Sequence, residues 1–162
     1  TIMSNLGLEK YLLNNLKIKL KRSSVGDINV IQQMSKFKSI LGGEPSGHII
    51  ISDFSKTGDG ILAALKVVEI ISKIKKASSS VFNLYDSFPQ IKVNIPYKKI
   101  TINSLKYIQN LNKKKLKEKN IRFLIRKSGT EPLIRILVEG DDMKKVIEYS
   151  KILEKDVRIN LG

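Results

Sequence analysis

The chain has 162 residues, and its 30 basic and 15 acidic side chains give it a net charge of +15 at pH 7. Hydrophobic residues make up 41% of it, which is typical of a globular chain with a buried core. Cysteine is absent, which excludes disulfides, thiolate catalysis and zinc–sulfur sites. No apolar run approaches the roughly 18 residues of a membrane span, and no signal-peptide pattern opens the chain. These features predict a cytoplasmic protein with no membrane partner.

The first half of the chain alternates between helical and strand-like patterns. The spacing of apolar residues predicts helices over 6–16, over 27–37 with Asp27 as the cap, and from Gly60 onward, the last long and well buried. Strands are predicted over 17–25 and 48–52. This alternation predicts a mixed α/β layer over residues 1–77. Because the chain begins at Thr1 with what resembles the end of a strand, we expect a domain truncated at its N-terminus, in a fragment of a longer protein.

The second half has a different order of elements. A connector is predicted over 78–89, where small polar residues interrupt the pattern, and we expect it to act as a hinge. Beyond it, the patterns predict a small α+β domain over 90–162. Its predicted strands cover 90–97, 120–126 and 132–140, and its predicted helices cover 103–119 and the residues after Asp141. The lysine-rich end of the first of these helices is typical of a solvated helix face.

The segment IRKSGTEPLIR has the composition of an anion-binding loop between two strands. Arg126 and Arg135 can each direct two N–H donors to phosphate oxygens, and Ser128 and Thr130 add hydroxyl donors. Gly129 permits a turn in which successive backbone amides converge on an anion. The alternative is a surface hairpin whose arginines are incidental. The concentration of donors in one short loop favours the anion site.

A second polar loop, GGEPSGH, begins at Gly42. Glu44 and Ser46 are two residues apart, so both side chains point the same way if the loop is extended. A carboxylate beside a hydroxyl suits hydrogen bonding to adjacent hydroxyls of a sugar. The alternative is a turn in which Glu44 is a cap. His48, the only histidine, is either part of this site or a packed structural residue.

No complete catalytic apparatus is present in the sequence. The TGDGI segment has a single Asp, and because a hard cation needs several oxygen ligands, we expect a helix start there and no metal site. No serine has a neighbouring general base. Nucleic-acid binding is disfavoured because the basic residues are mostly lysines spread along the chain. Attraction of a small phosphorylated substrate explains the positive charge equally well.

The motifs GGEPSGH and RKSGTEPLIR together resemble the α-D-phosphohexomutases. MSNLGLE, VGD, TGDGI and FPQIKVNI follow the order expected of the family's amino-sugar branch, so the resemblance covers essentially the whole chain. Members have four domains, of which the first has a phosphorylated serine and the second an Asp-rich loop that binds Mg²⁺. The resemblance implies that this chain is most of the third domain and all of the fourth. The nucleophile and the Mg²⁺ ligands would then lie upstream, and the fragment alone would be inactive and without a cofactor.

The resemblance also implies a role for the GGEPSGH loop. The enzyme's phosphoserine would phosphorylate a hexosamine phosphate, and the resulting bisphosphate would turn within the site before returning its other phosphate. The sugar therefore binds in two orientations, and Glu44, Ser46 and His48 would bind its hydroxyls in both. Gly26 and Asp27 would lie in a further loop that faces the sugar.

The non-reacting phosphate would be held by the other loop, through Arg126, Ser128, Gly129, Thr130 and Arg135. Inorganic phosphate or sulfate could bind there in the isolated chain.

Two residues depart from the family pattern. Pro45 stands where members usually have another side chain, and Ile28 stands where the amino-sugar branch often has Arg. The mannose and glucose phosphate branches of the family are therefore alternatives. A non-catalytic basic module that binds phosphate or nucleic acid is the alternative from another class.

Overall fold

The computed structural model describes residues 1–113 and 120–161. The chain divides into two units, Thr1–Asp86 and Ser87–Gly162. The division falls inside the segment 78–89, where the sequence predicts a connector, and the hinge role of that segment stays a prediction. Among the described residues, no helix is both long enough and apolar enough to cross a membrane.

Helices predominate in the first unit, all of which is described. Its elements are α1 (Leu6–Leu16), α2 (Asp27–Phe37), β1 (Leu41–Gly43), β2 (Ile49–Ile51), α3 (Gly60–Ile74) and α4 (Ser78–Phe82). The strands β1 and β2 pair antiparallel as a short hairpin. The predicted helices over 6–16 and 27–37 and the strand within 48–52 are confirmed.

The strand predicted over 17–25 is wrong, because this segment has no sheet partner and links α1 to α2 without regular structure. Side-chain hydrogen bonds and an ion pair hold this segment, instead of the backbone hydrogen bonds of a sheet. The guanidinium of Arg22 lies 2.7 Å from the Glu9 carboxylate and donates to the Ser4 carbonyl at 2.5 Å. The backbone of Ser23 accepts a hydrogen bond from Ile2.

The expectation that α3 is well buried is also wrong, since none of its residues is buried. Ile61, Leu65 and Val68 lie on one side of this helix and are 76%, 63% and 62% exposed. Apolar residues cover most of the circumference of α3, whereas the rest of the first unit packs against only part of it.

A small core fixes the β1–β2 hairpin against α2. Val30, Met34 and Ile50 are its buried members. A Cβ atom added to Gly42 would lie 2.3 Å from the Met34 sulfur and 2.8 Å from a Val30 methyl carbon. The absence of a side chain at Gly42 therefore lets β1 lie close to α2, which places the loop after β1 near the start of that helix.

The second unit is a three-stranded antiparallel sheet with helices on one face. Its described elements are β3 (Gln90–Pro96), α5 (Ile102–Lys113), β4 (Ile121–Lys127), β5 (Leu133–Gly140) and α6 (Met143–Leu161). The strand order is β3-β5-β4. The three predicted strands and the last helix are confirmed. The lysine-rich end of the helix predicted over 103–119 lies outside the described residues.

The two faces of this sheet differ in character. Ile134, Ile136 and Val138 of β5 belong to the core that α5 and α6 cover. Because side chains alternate along a strand, Arg135 and Glu139 lie on the other face. The arginines of the RKSGTEPLIR motif therefore lie on the face that the helices of this unit leave uncovered.

Glu139 is a fully buried carboxylate on that face of the sheet. It lies 2.5 Å from the guanidinium of Arg122 and accepts a hydrogen bond from the Gln90 side chain, also at 2.5 Å. These three residues occupy one row across β3, β5 and β4. The pairing compensates for burial of the charge.

Candidate functional site

The loop between β1 and β2 is a tight hydrogen-bonded turn. The amide of Glu44 donates to the carbonyl of His48 at 2.9 Å, and that of Gly47 donates to the carbonyl of Glu44 at 3.0 Å. Pro45 occupies the second position of this turn, where its fixed φ is favourable. Gly47 has a φ of 99°, which favours glycine. Pro45 therefore suits the turn that presents Glu44 and Ser46.

The structure brings together all five residues predicted to face the sugar. One oxygen of the Glu44 carboxylate accepts a hydrogen bond from the Gly26 amide at 2.6 Å, and the other accepts one from the Ser46 hydroxyl at 3.4 Å. Nε2 of His48 lies 3.8 Å from a carboxylate oxygen of Asp27. The Asp27 and His48 side chains are 43% and 57% exposed, so a solvent-borne ligand can reach them.

Two details differ from the predictions for this cluster. Asp27 is the first residue of α2 and does not cap it, because Gly26, with a φ of 112°, holds the cap position without a side-chain bond. The charge of Asp27 still stabilises the positive end of the helix dipole. Besides any ligand, the Glu44 carboxylate binds the backbone amide of Gly26. The alternative in which Glu44 acts as a cap is therefore partly correct.

The TGDGI segment begins α3, as predicted. The Asp59 carboxylate accepts a hydrogen bond from the Leu62 amide at 2.9 Å, which caps the helix. Within residues 1–113 and 120–161, no group of three or more His, Asp and Glu side chains is placed to hold a metal ion.

The two arginines of the RKSGTEPLIR motif face each other across the β4–β5 hairpin. Arg126 and Arg135 are register partners, on the sheet face that α5 and α6 leave uncovered. Like charges directly opposite each other on a sheet are unfavourable, and an anion between them would relieve the repulsion. The guanidinium of Arg126 has no hydrogen-bond or ion-pair partner among the described residues, so it is free to bind an anion.

The backbone of this loop differs from the predicted turn in which successive amides converge on an anion. The Ser128 amide donates to the Leu133 carbonyl at 2.8 Å, so it closes the hairpin and is not available to an anion. Gly129 does not adopt a left-handed φ, and a Cβ added there would meet nothing within 4 Å. The amides of Gly129 and Thr130 have no acceptor in the described part of the chain. Of the two residues with hydroxyl groups, Thr130 is exposed and Ser128 is buried. The donors for an anion are therefore the two guanidiniums, the hydroxyls, of which that of Thr130 is the more accessible, and these two amides.

Two further residues of this site were not predicted from the sequence. Glu131 forms an ion pair with Arg135 through Oε2 and Nη2. Asn94 is the register partner of Arg135 on β3, so Asn94, Arg135 and Arg126 form one row across the sheet. Glu131 is part of the quoted motif, and the alternation along β3 gave a signal for Asn94.

Comparison with protein-family models identifies both units. The model for the α/β/α domain III of phosphoglucomutase/phosphomannomutase matches residues 1–88. The model for the C-terminal domain of the same family matches residues 61–155.

Curated relatives of this chain include phosphoglucosamine mutases. The enzyme of Fusobacterium nucleatum is 40% identical over 97% of this chain, and that of Parvibaculum lavamentivorans is 45% identical over 90%. The chain spans 36% and 33% of the lengths of these two relatives.

Solved structures with this fold include other sugar-phosphate mutases. An Aspergillus fumigatus N-acetylphosphoglucosamine mutase matches 98% of this chain and 37% of its own, with a TM-score of 0.74 and 16% identity. An N-acetylglucosamine-phosphate mutase of the α-D-phosphohexomutase superfamily, in its substrate complex, matches 96% of this chain and 37% of its own, with a TM-score of 0.67 and 20% identity. The mixed α/β fold and the family resemblance predicted from the sequence are confirmed. The chain belongs to the phosphoglucomutase/phosphomannomutase family and matches the models of its domain III and C-terminal domain.

Proposed function

We propose that this chain is the sugar- and phosphate-binding part of a phosphoglucosamine mutase. Such an enzyme is an intramolecular phosphotransferase that interconverts glucosamine 6-phosphate and glucosamine 1-phosphate. The identity of 40% and 45% to two phosphoglucosamine mutases supports this assignment. Since the substrates are sugar phosphates, we place the protein in the cytoplasm.

The observation that supports the proposal most strongly is the pair of arginines on the sheet face opposite α5 and α6. Arg126 and Arg135 are register partners, and Arg126 has no partner among the described residues. In phosphoryl transfer the protein contributes mainly positioning and charge stabilisation. Two guanidiniums and the loop hydroxyls that bind the non-reacting phosphate of the sugar would contribute this positioning and charge stabilisation.

The sugar end of the substrate would be held by the cluster around Glu44. Its carboxylate accepts a hydrogen bond from the Ser46 hydroxyl, and the Glu44 amide donates to the His48 carbonyl in the same turn. Neighbouring hydroxyls on a hexose exchange places when the sugar reverses its direction in the site. A carboxylate acceptor beside a hydroxyl that can donate or accept suits both orientations.

The nucleophile and the metal would come from outside this chain. The described residues include no cluster suited to Mg²⁺, so we assign its ligands to other domains of a longer protein and derive no step from it here. The phosphoserine that exchanges phosphate with the sugar is assigned in the same way. This part of the enzyme then binds and orients the substrate and does not itself transfer phosphate.

The test is a coupled assay of the longer protein with glucosamine 6-phosphate, glucose 6-phosphate and mannose 6-phosphate. We expect turnover to be fastest with glucosamine 6-phosphate, and none with this chain alone. Faster turnover of either other sugar would place the protein in another branch of the family. Turnover by the isolated chain would contradict the assignment of the nucleophile to another domain.

A further inference from the structure

We propose that Glu131 is an internal counter-anion for Arg135. Its carboxylate binds Arg135 in the phosphate-free protein and leaves Arg135 when phosphate binds. The inference rests on the proposed phosphate site. The proposed phosphate site does not explain Glu131, which is a carboxylate in a loop whose other polar groups are donors. Oε2 of Glu131 pairs with Nη2 of Arg135.

Carboxylate and phosphate oxygens compete for the same donors of a guanidinium. Glu131 engages Nη2 of Arg135, while Nε of Arg135 is buried and has no partner within the described residues. The carboxylate therefore uses only part of the donor set. A phosphate with three free oxygens can engage Arg135 more completely and reach Arg126, the register partner of Arg135, at the same time.

Exposure makes the exchange possible without a change in the fold. The side chains of Glu131 and Arg135 are 52% and 39% exposed. Glu131 can therefore turn into water when phosphate takes its place, and an exposed ion pair of this kind is weak enough to be displaced. Phosphate binding is then an exchange of one anion for another on Arg135.

The opposite role would be a permanent support, in which Glu131 keeps Arg135 in the geometry that phosphate needs. The two roles give opposite signs for Glu131→Gln. If Glu131 competes with phosphate, the substitution strengthens phosphate binding, whereas if it supports Arg135, the substitution weakens it. Glu148 on α6 provides a matched control. It is exposed, it lies on a helix that covers the other face of the sheet, and Glu148→Gln changes the net charge equally.

The experiment is a titration of the chain with inorganic phosphate at about 0.15 M ionic strength, where the Debye length is about 8 Å. Binding is followed by NMR at the loop amides and at the Nε–Hε group of Arg135. We expect Glu131→Gln to bind phosphate about two- to fivefold more tightly than the wild-type chain, and Glu148→Gln to match the wild type. Before phosphate is added, Glu131→Gln alone should shift the Arg135 Nε–Hε resonance.

A double-mutant cycle separates competition at Arg135 from a general gain of positive charge. In an Arg135→Gln background, Glu131→Gln should leave phosphate affinity unchanged, because the group for which the two anions compete is gone. Equal or weaker binding by Glu131→Gln, or the same gain in Glu148→Gln, would overturn the counter-anion role and leave the phosphate site intact. If phosphate perturbs none of these loop resonances in the wild-type chain, both the site and the inference fail.

Discussion

Replacement of Glu44 by Ala should detach the turn between β1 and β2 from the start of α2. The carboxylate accepts a hydrogen bond from the Gly26 amide at 2.6 Å in a partly buried position. A hydrogen bond to a charged group contributes about 1.5–3 kcal/mol. We therefore expect hydrogen exchange at the Gly26 amide to accelerate about 10- to 150-fold in Glu44→Ala. Glu44→Gln should have a smaller effect, because the amide oxygen of Gln can still accept the bond.

Amide exchange measured residue by residue by NMR provides the assay, with Asp59→Ala as the matched control. Asp59 is another helix-start carboxylate of the same unit, and it accepts its hydrogen bond from the Leu62 amide. Loss of the Asp59 carboxylate should accelerate amide exchange at Leu62, because a lost helix cap costs about 0.5–2 kcal/mol. The exchange rate at Gly26 should stay unchanged. The reasoning is refuted if Gly26 exchanges at the wild-type rate in Glu44→Ala, or equally fast in both variants.

Three further predictions concern stability and titration. Gly42→Ala should lower the free energy of unfolding by about 1–3 kcal/mol in a urea titration, because the new methyl group would overlap the Met34 sulfur. Arg122→Met should cost about 3–5 kcal/mol by leaving the buried Glu139 unpaired, and adding Glu139→Leu should recover most of this loss. Burial and a hydrogen bond to a carboxylate raise the pKa of Tyr107 to about 12, so absorbance titration should show a tyrosine component that ionises near pH 12 and is missing in Tyr107→Phe. Because the folded-state pKa is the higher one, the stability that this tyrosine contributes is complete below pH 10 and is lost as the pH rises from about 10 to 12.

The regular elements of the fold could be predicted where local patterns were strong. The helices α1 and α2 and the three strands of the second unit follow their apolar spacing closely. The strand β1 was missed because two of its three residues are glycines, which disfavour strands unless a tight contact, here with Met34, requires them. The predicted strand over 17–25 failed because alternation alone cannot show whether a strand has a partner to pair with.

The burial of α3 could not be predicted from its composition, because apolar content does not show how much of a helix its own unit covers. Its exposed side, with Ile61, Leu65 and Val68, shows the difference.

The predicted site residues make contacts that the sequence could not predict. Motif spacing predicted that Glu44 and Ser46 point the same way in an extended loop, whereas the structure forms a tight turn there. The spacing also could not show that Glu44 holds the amide of Gly26, 18 residues earlier in the chain. The ion pair between Glu131 and Arg135 could not be predicted from the sequence either, because it depends on the path of the hairpin loop. Contacts between distant segments follow from tertiary packing, which local patterns do not encode.

The central claim is that the loop between β4 and β5 binds the phosphate of a sugar phosphate. The most direct test is a titration of the ¹⁵N-labelled chain with inorganic phosphate, glucosamine 6-phosphate and, separately, a DNA duplex. We expect millimolar affinity, with shifts confined to residues 126–135 and of similar size for the two phosphates, because the loop assembles from one hairpin and leaves the rest of the sugar unbound. The absence of shifts in this loop with either phosphate, together with large shifts elsewhere on addition of DNA, would contradict the claim and favour a nucleic-acid-binding module.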